Sequence, residues 1–135
     1  MNLAGKVLVV DDEAHIRKFV TLFLQSMGDI TVVQAANGTE ALQVYEREKP
    51  QLVLLDVNMP RIDGLQTLRS LKTSDPSCAV VMLTSLVNRQ TVEECLNLGA
   101  LGYLRKDNPP PEMTAQLGKF VAAALTPKVA KSIPA

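Results

Sequence analysis

The sequence predicts an α/β protein in which five parallel strands form one sheet with helices on both faces. Short apolar runs of strand length take turns with longer segments whose apolar residues recur at helical spacing. Because these runs contain no alternating polar residues, each predicts a strand buried on both faces. Strict succession of strand and helix, with connections long enough to cross over, is typical of a parallel sheet. A chain of 135 residues is long enough for one domain with a core and too short for two.

The first half of the chain contains three predicted strands, at residues 6–10, 30–35 and 51–55. Between the first two, apolar residues recur at helical spacing over 16–27, and Gly28 ends the pattern. Asn37-Gly38 is compatible with a hairpin turn, but the residues after it, as far as Lys49, have helical rather than alternating character. The helix interpretation is therefore preferred, and the proline at position 50 ends that helix.

The second half continues the same succession. Helical spacing predicts a third helix at 65–71, a fourth at 92–96 and a fifth at 113–124, with strands at 79–83 and 101–104. The apolar faces of all five helices are expected to be core. The last ten residues, 126–135, show no periodicity and contain two prolines. We therefore expect the domain to cover residues 1–125 and the remainder to be a flexible tail or the start of a linker.

Composition excludes several classes of function. Lysine plus arginine and aspartate plus glutamate both number 14, so no overall positive field favours nucleic acid or a membrane surface. The apolar runs are far too short to span a membrane, and acidic residues follow the first run too early for a secretory signal. A cytoplasmic protein is expected. Cys78 and Cys95 are interpreted as small buried hydrophobic residues rather than metal ligands or redox groups.

Polar residues follow four of the predicted strands. Asp11 and Asp12 follow the first, Asp56 the third, Thr84 the fourth and Lys106 the fifth. In a parallel sheet, ligands bind outside the carboxyl ends of the strands, so these side chains are expected to share one edge. Three crowded carboxylates repel one another, and a bound cation is one usual resolution.

The chemistry of this edge suits phosphate and a hard cation. Mg²⁺ commonly binds one or two carboxylates and bridges to substrate phosphate, and Asp11, Asp12, Asp56 and the carbonyl of Asn58 could supply such a site. The Lys106 ammonium and the hydroxyl of the threonine at position 84 can both donate to phosphoryl oxygens. A carboxylate nucleophile flanked by these groups fits transfer through an aspartyl phosphate.

The ordered set of motifs resembles the receiver domain of bacterial two-component response regulators. The motifs lie at residues 7–13, 54–60 with Asp63-Gly64 behind them, 84–85 and 99–106, and the resemblance covers roughly residues 5 to 125. It implies a flavodoxin-like fold with strand order 2-1-3-4-5. It also implies phosphoryl transfer from a sensor histidine kinase or histidine phosphotransfer protein, and signalling to a downstream effector domain or a homodimer through helix four, strand five and helix five. Direct contact with nucleic acid or membrane is not expected.

Each site residue takes a role from this resemblance. Asp56 resembles the phosphoacceptor, and Asp11 and Asp12 resemble the acidic pair that holds Mg²⁺. Asn58 stands where a backbone carbonyl joins the metal. The switch is carried by a hydroxyl and an aromatic residue, at the positions of Thr84 and Tyr103, and Lys106 stands at the phosphate-binding lysine.

One position departs from the pattern. The family usually has a proline after its lysine, joined by a cis bond, whereas Asp107 follows Lys106 here. A non-proline cis bond costs about 3 kcal/mol, so we expect a trans bond and a different path for the loop. The extra negative charge of Asp107 is expected to weaken the local attraction for phosphate.

Each site residue also has an ordinary structural interpretation. The acids after the first strand could stabilise a helix start, Thr84 could cap a helix, Lys106 could be a solvated surface residue and Tyr103 could be core. His15 is expected to be exposed without a role.

Three rival functions remain open. A small phosphatase with an aspartyl intermediate normally has a second acid two residues after its nucleophile, where this chain has Asn58. A flavin mononucleotide carrier fits poorly because the loop after strand one is acidic and would repel phosphate. A degenerate receiver that only docks proteins is kept open by Asp107.

Overall fold

A computed structural model describes residues 3–57, 64–85 and 89–125 of the chain. Within these residues, five strands and five helices follow one another in strict succession. The strands are β1 Leu3–Val10, β2 Gly28–Ala35, β3 Leu52–Asp56, β4 Val80–Thr84 and β5 Gly102–Arg105. The helices are α1 Ala14–Gln25, α2 Gly38–Glu48, α3 Gly64–Ser74, α4 Arg89–Asn97 and α5 Pro110–Ala124. Asn58 and the predicted tail at 126–135 lie outside the described residues.

All five strands are parallel and lie in the order β2-β1-β3-β4-β5, which confirms the predicted flavodoxin-like fold. The first two strands are longer than predicted because their pairing extends back to Leu3 and Gly28. Gly28 therefore begins β2, and α1 ends earlier, at Gln25. At the start of α2, the Asn37 side chain accepts a hydrogen bond from the Glu40 N–H at 2.8 Å, so the hairpin alternative is wrong.

The sheet separates two hydrophobic layers. The layer under α1 and α5 contains Val20 and Leu24 from α1 and the α5 residues Met113, Leu117 and Val121. The other layer, under α2, α3 and α4, includes both cysteines, which are buried as predicted. β3 lies at the centre of the sheet with β1 beside it, and the apolar runs 7–10 and 52–55 are buried on both faces.

The expectation that every apolar helix position is core was wrong at two predicted positions. Phe19 on α1 and Leu96 on α4 are exposed, because each helix packs on the sheet over only part of its apolar face. Among the described residues, no helix is both long enough and apolar enough to cross a membrane.

The chain direction across the sheet reverses at its centre. From β1 the chain moves to β2 on one side, then returns to β3 on the other side of β1. The loops after β1 and β3 therefore diverge, and an open sheet of this kind binds its ligands in the crevice between them. The sequence places Asp11 and Asp56 at this point.

Candidate functional site

The carboxyl edge of the sheet brings together four of the predicted site residues, Asp11, Asp12, Asp56 and Lys106. Backbone hydrogen bonds extend the sheet pairing beyond the strand ends: the Asp11 N–H donates to the Ala35 carbonyl at 3.1 Å, and the Lys106 N–H donates to the Thr84 carbonyl at 2.8 Å. Asp11, Asp56 and Thr84 are buried. The strand ends therefore fix the positions of these side chains, as predicted from spacing.

The Lys106 ammonium lies between the two buried carboxylates. Its Nζ is 2.7 Å from Asp11 Oδ2, 3.1 Å from Asp56 Oδ1 and 3.7 Å from Glu13 Oε1. The Lys106 side chain is only 10% exposed, so the interpretation as a solvated surface lysine is wrong. Burial by itself lowers the pKa of Lys106, but the hydrogen bond to Asp11 and the charge of Asp56 outweigh it, and the pKa is raised. The lysine is therefore charged at neutral pH.

Three carboxylates form a cluster that fits a divalent cation. Asp11, Asp12 and Asp56 each offer an oxygen, and these oxygens lie within 4.8 Å of one another. Asp12 is exposed, so the cluster opens to solvent on one side. An all-oxygen donor set with two buried charges and an open side suits a hard ion that keeps several waters, such as Mg²⁺. The alternative that Asp11 and Asp12 only stabilise the start of α1 does not explain why Asp56 lies beside them.

The loop after β1 is supported by Arg17 and Gln34, which sequence analysis did not single out. Arg17 Nη1 donates to the Asp11 carbonyl at 2.7 Å, and its Nε donates to Gln34 Oε1 at 3.1 Å. The Glu13 N–H donates to Asp11 Oδ1 at 2.9 Å. These bonds fix the Asp11 carboxylate and the loop that carries it. The helical spacing of Glu13 and Arg17 predicts that both lie on one side of α1. It does not predict that the Arg17 side chain turns back and binds the loop.

Gly64, the glycine of the Asp63-Gly64 motif, supports the backbone that follows Asp56. A Cβ at this position would collide with the carbonyl oxygen of Asp56 and would lie 2.7 Å from the Val57 Cα. The Gly64 N–H donates to the Val57 carbonyl at 3.0 Å. The start of α3 therefore packs directly on the backbone of the candidate phosphoacceptor, and a glycine permits this close approach.

A sequence model of the family described as "Response regulator receiver domain" matches residues 7–118 of this chain. The chain belongs to this family. It is 38% identical over 109 residues to the uncharacterized transcriptional regulatory protein YhcZ of Bacillus subtilis, covering 80% of this chain and 51% of that protein. It is 35% identical over 136 residues to the nitrate/nitrite response regulator NarL of Escherichia coli, covering 96% of this chain and 63% of NarL.

The fold of this receiver domain matches that of solved relatives. The structure of the Vibrio cholerae chemotaxis protein CheY4 superposes with a TM-score of 0.78 at 30% identity, covering 87% of this chain and 98% of that chain. The chain spans about half the length of YhcZ and 63% of NarL. Proteins of this family partner with sensor kinases and effector domains.

The loop after β5 of this receiver domain contains Asp107, where the family usually has a proline. No peptide bond among the described residues is cis, which confirms the prediction for Lys106-Asp107. The carboxylate of Asp107 accepts hydrogen bonds from Arg105 Nε at 2.9 Å and Nη2 at 2.7 Å. These bonds lower the pKa of Asp107. Its charge is thus paired with Arg105, and the expected weakening of phosphate attraction stays a prediction.

The two switch positions differ in exposure. Thr84 is buried and is the last residue of β4. Tyr103 is 39% exposed, so its interpretation as core was wrong. It lines a surface hollow of about 350 Å³ together with Arg105 and Phe120. His15 is exposed, as expected, with Nε2 3.7 Å from Glu13 Oε2.

Proposed function

We propose that Asp56 accepts a phosphoryl group from a phosphohistidine of a sensor histidine kinase or histidine phosphotransfer protein. The observation that carries this proposal is the buried Asp56 carboxylate 3.1 Å from the Lys106 ammonium and beside the acidic pair Asp11 and Asp12. A carboxylate held next to a fixed positive charge and a candidate cation site is suited to attack phosphorus.

The proposed transfer replaces a phosphorus–nitrogen bond of the donor by a phosphorus–oxygen bond to Asp56. A carboxylate oxygen of Asp56 bonds to phosphorus while the bond from phosphorus to the donor histidine nitrogen breaks, and the histidine leaves with the electron pair. In this proposal Lys106 stays protonated and donates to a phosphoryl oxygen, and the Thr84 hydroxyl donates to another. Asp11, Asp12, Asp56 and the carbonyl of Asn58 would hold Mg²⁺, which would further neutralise the phosphoryl charge. Hydrolysis by water returns the free carboxylate, so the domain acts as a switch rather than as an enzyme on a separate substrate.

Incubation with a small phosphodonor tests this function. The full chain is mixed with acetyl phosphate and Mg²⁺, and the intact mass is followed with time. We expect a gain of one phosphoryl group, with little gain when the metal is chelated. No mass gain under conditions that phosphorylate another receiver domain would instead support the alternative of a phosphorylation-independent docking module.

Replacing Asp12 by alanine is expected to weaken Mg²⁺ binding and to stabilise the metal-free protein slightly. Asp12 supplies a cluster oxygen but is exposed, so relief of repulsion should contribute only a few tenths of a kcal/mol. Thermal melts with and without Mg²⁺ measure both effects. Glu13→Ala is the matched control, because it removes the neighbouring exposed acid and leaves the three cluster carboxylates. Equal Mg²⁺-dependent shifts in wild type and Asp12→Ala would contradict the metal assignment.

We infer that the output surface is formed by α4, β5 and α5. Tyr103 and Leu101 are exposed there, and Leu96 on α4 adds a third exposed apolar side chain. The register pairs Thr84 with Arg105, and side chains two residues apart on a strand share a face, so Thr84 and Tyr103 lie on the same face of the sheet. A phosphoryl group that draws the Thr84 hydroxyl inward would vacate space that Tyr103 can fill. An effector domain or a second copy would bind this surface.

Thr84→Ala should uncouple the site from this surface. The phosphoryl mimic beryllofluoride with Mg²⁺ should shift NMR signals in residues 89–105 of the wild type, and those shifts should largely disappear in Thr84→Ala. Thr39→Ala, at an exposed position of α2, is the control and should respond like the wild type. Shifts confined to loops around Asp56 in the wild type would show that no signal leaves the site by this route.

Two further expectations remain predictions. The domain limit at residue 125 agrees with the end of α5 at Ala124 but depends on residues outside those described. A cytoplasmic location is proposed because the expected phosphodonors act there.

A further inference from the structure

The peptide bond that joins Asp11 to Asp12 is held by Arg17 of α1. Arg17 Nη1 donates to the Asp11 carbonyl oxygen, which belongs to that peptide, at 2.7 Å. On the other side of the same residue, the Asp11 N–H donates to the Ala35 carbonyl at 3.1 Å. Both backbone polar groups of Asp11 are therefore paired, and the direction in which the chain continues to Asp12 is fixed.

The Asp12 carboxylate depends on this peptide for its position. Asp12 is exposed, and within residues 3–57, 64–85 and 89–125 its side chain has no hydrogen bond or ion pair. Its oxygen nevertheless lies within 4.8 Å of oxygens from Asp11 and Asp56. Carboxylates this close repel one another, so a chain free to turn at the 11–12 peptide would let Asp12 move away. A fixed peptide keeps the third oxygen of the cluster within reach of a cation.

Hydrogen bonds between α1 and β2 fix the Arg17 guanidinium in turn. Its Nε donates to Gln34 Oε1 at 3.1 Å, and Gln34 Nε2 donates to Thr21 Oγ1 at 3.4 Å. The Thr21 hydroxyl donates to the Arg17 carbonyl at 2.7 Å, which closes the ring. A guanidinium presents its N–H groups in a rigid plane, so the bond from Nε to Gln34 also sets the direction of Nη1. The two elements together aim the guanidinium at the Asp11 carbonyl.

The position of Arg17 in α1 is unfavourable for a positive charge. Arg17 is the fourth residue of a helix whose first turn contains no acid and whose N-cap residue, Glu13, makes no side-chain cap hydrogen bond. The start of a helix disfavours cations, and helical side chains lean towards that start. Helix stability alone therefore does not favour arginine here. The same lean brings the guanidinium back to the loop after β1, where the Asp11 carbonyl accepts its hydrogen bond.

We propose that Arg17 is a positioning residue for the divalent cation, and that it raises Mg²⁺ affinity by holding the peptide between Asp11 and Asp12. This inference rests on the proposed function, because it assigns a residue to the cation site of that function. Arg17 is not a ligand itself, since a guanidinium has no lone pair to offer a metal. It acts through the backbone of the acidic pair.

Position and charge predict opposite effects when Arg17 is replaced. Loss of a nearby positive charge would by itself strengthen Mg²⁺ binding. Loss of the hydrogen bond to Asp11 would weaken it, because the residues that orient metal ligands commonly contribute tenfold or more to metal affinity. We expect Arg17→Met, which removes the charge, to bind Mg²⁺ about tenfold more weakly than the wild type. Arg17→Lys should also bind more weakly, because lysine keeps the charge but lacks the planar fork that binds Gln34 and Asp11 together.

NMR titration of the full chain with magnesium chloride measures these affinities. Lys18→Met is the matched control, because it removes a positive charge from the next residue of α1 at an exposed position. It should bind Mg²⁺ as tightly as the wild type or slightly more tightly. Gln34→Ala leaves the charge of Arg17 but removes the partner of Nε, so it should weaken binding less than Arg17→Met does.

The Mg²⁺ dependence of phosphorylation separates positioning from a loss of folded protein. With acetyl phosphate as donor, Arg17→Met should need about tenfold more Mg²⁺ for half of its maximal rate but should reach a rate close to that of the wild type at saturation. A variant that only folded less well would lose phosphorylated product at every Mg²⁺ concentration, and a thermal melt without metal identifies it.

Wild-type or tighter Mg²⁺ binding in either Arg17 variant would overturn the inference and leave the proposed function intact. A reduced maximal rate with unchanged Mg²⁺ affinity would place Arg17 in the transfer step instead, and would overturn it too. A wild-type chain that neither binds Mg²⁺ nor gains a phosphoryl group would remove the proposed function, and this inference with it.

Discussion

Asp56→Asn is expected to abolish phosphorylation by acetyl phosphate while the fold and its stability are kept. Asparagine has nearly the same volume, and its side-chain carbonyl can still accept a hydrogen bond from Lys106, whose Nζ is 3.1 Å from Asp56 Oδ1. The amide cannot attack phosphorus as a carboxylate does. Removing one of two buried carboxylates also relieves repulsion with Asp11, so the melting temperature should be unchanged or higher. Intact mass and a thermal melt measure the two effects.

The control for this substitution is Asp29→Asn. Asp29 is exposed and lies near the start of β2, at the opposite edge of the sheet from the acidic cluster. This variant should be phosphorylated at the wild-type rate. Phosphorylation of Asp56→Asn at that rate would show that another residue is the acceptor.

The strands and the acids that follow them could be predicted because both signals are local. An unalternating apolar run predicts a strand with two buried faces, and the carboxylate that ends it must lie where the strand leaves the core. Parallel strands then bring Asp11 and Asp56 to one edge whatever the side chains do. The strand order, by contrast, came from the resemblance to receiver domains, because periodicity does not say which strands are neighbours.

The contacts that set the electrostatics of the site could not be predicted in this way. Spacing placed Lys106 at a strand end, but whether its long side chain reaches solvent, Asp107 or the acids depends on rotamers and on the loop path. In the structure it bridges Asp11 and Asp56, while Arg105 pairs with Asp107. The exposure of Phe19 has a similar origin, because helical spacing gives a residue's direction but not how far the neighbouring elements extend over it.

Lys106→Met is expected to reduce stability and to increase the stabilisation that Mg²⁺ provides. Methionine keeps an unbranched side chain but leaves two buried carboxylates without the ammonium that lies 2.7 Å from Asp11 Oδ2 and 3.1 Å from Asp56 Oδ1. Removing one partner from a fully buried ion pair costs about 3–5 kcal/mol; this site opens to solvent beside Asp12, so we expect about 2 kcal/mol. The ammonium lies beside two of the carboxylates that would hold Mg²⁺, so we expect the two cations to compete for them. The variant should therefore show the larger rise in melting temperature with Mg²⁺.

The pH dependence of stability is a second test of the role of Lys106. The pKa of Lys106 is raised in the folded protein, so its contribution to stability is present below the ordinary lysine pKa and is lost as pH rises through the raised value. The wild type should therefore stay more stable than Lys106→Met from neutral to mildly alkaline pH without added metal, and the difference should shrink only in strong alkali. Lys18→Met, at an exposed position of α1, is the control and should match the wild type in both measurements. Equal melting temperatures for wild type and Lys106→Met, or equal responses to Mg²⁺, would show that the ammonium neither stabilises the acidic pair nor competes with the metal for it.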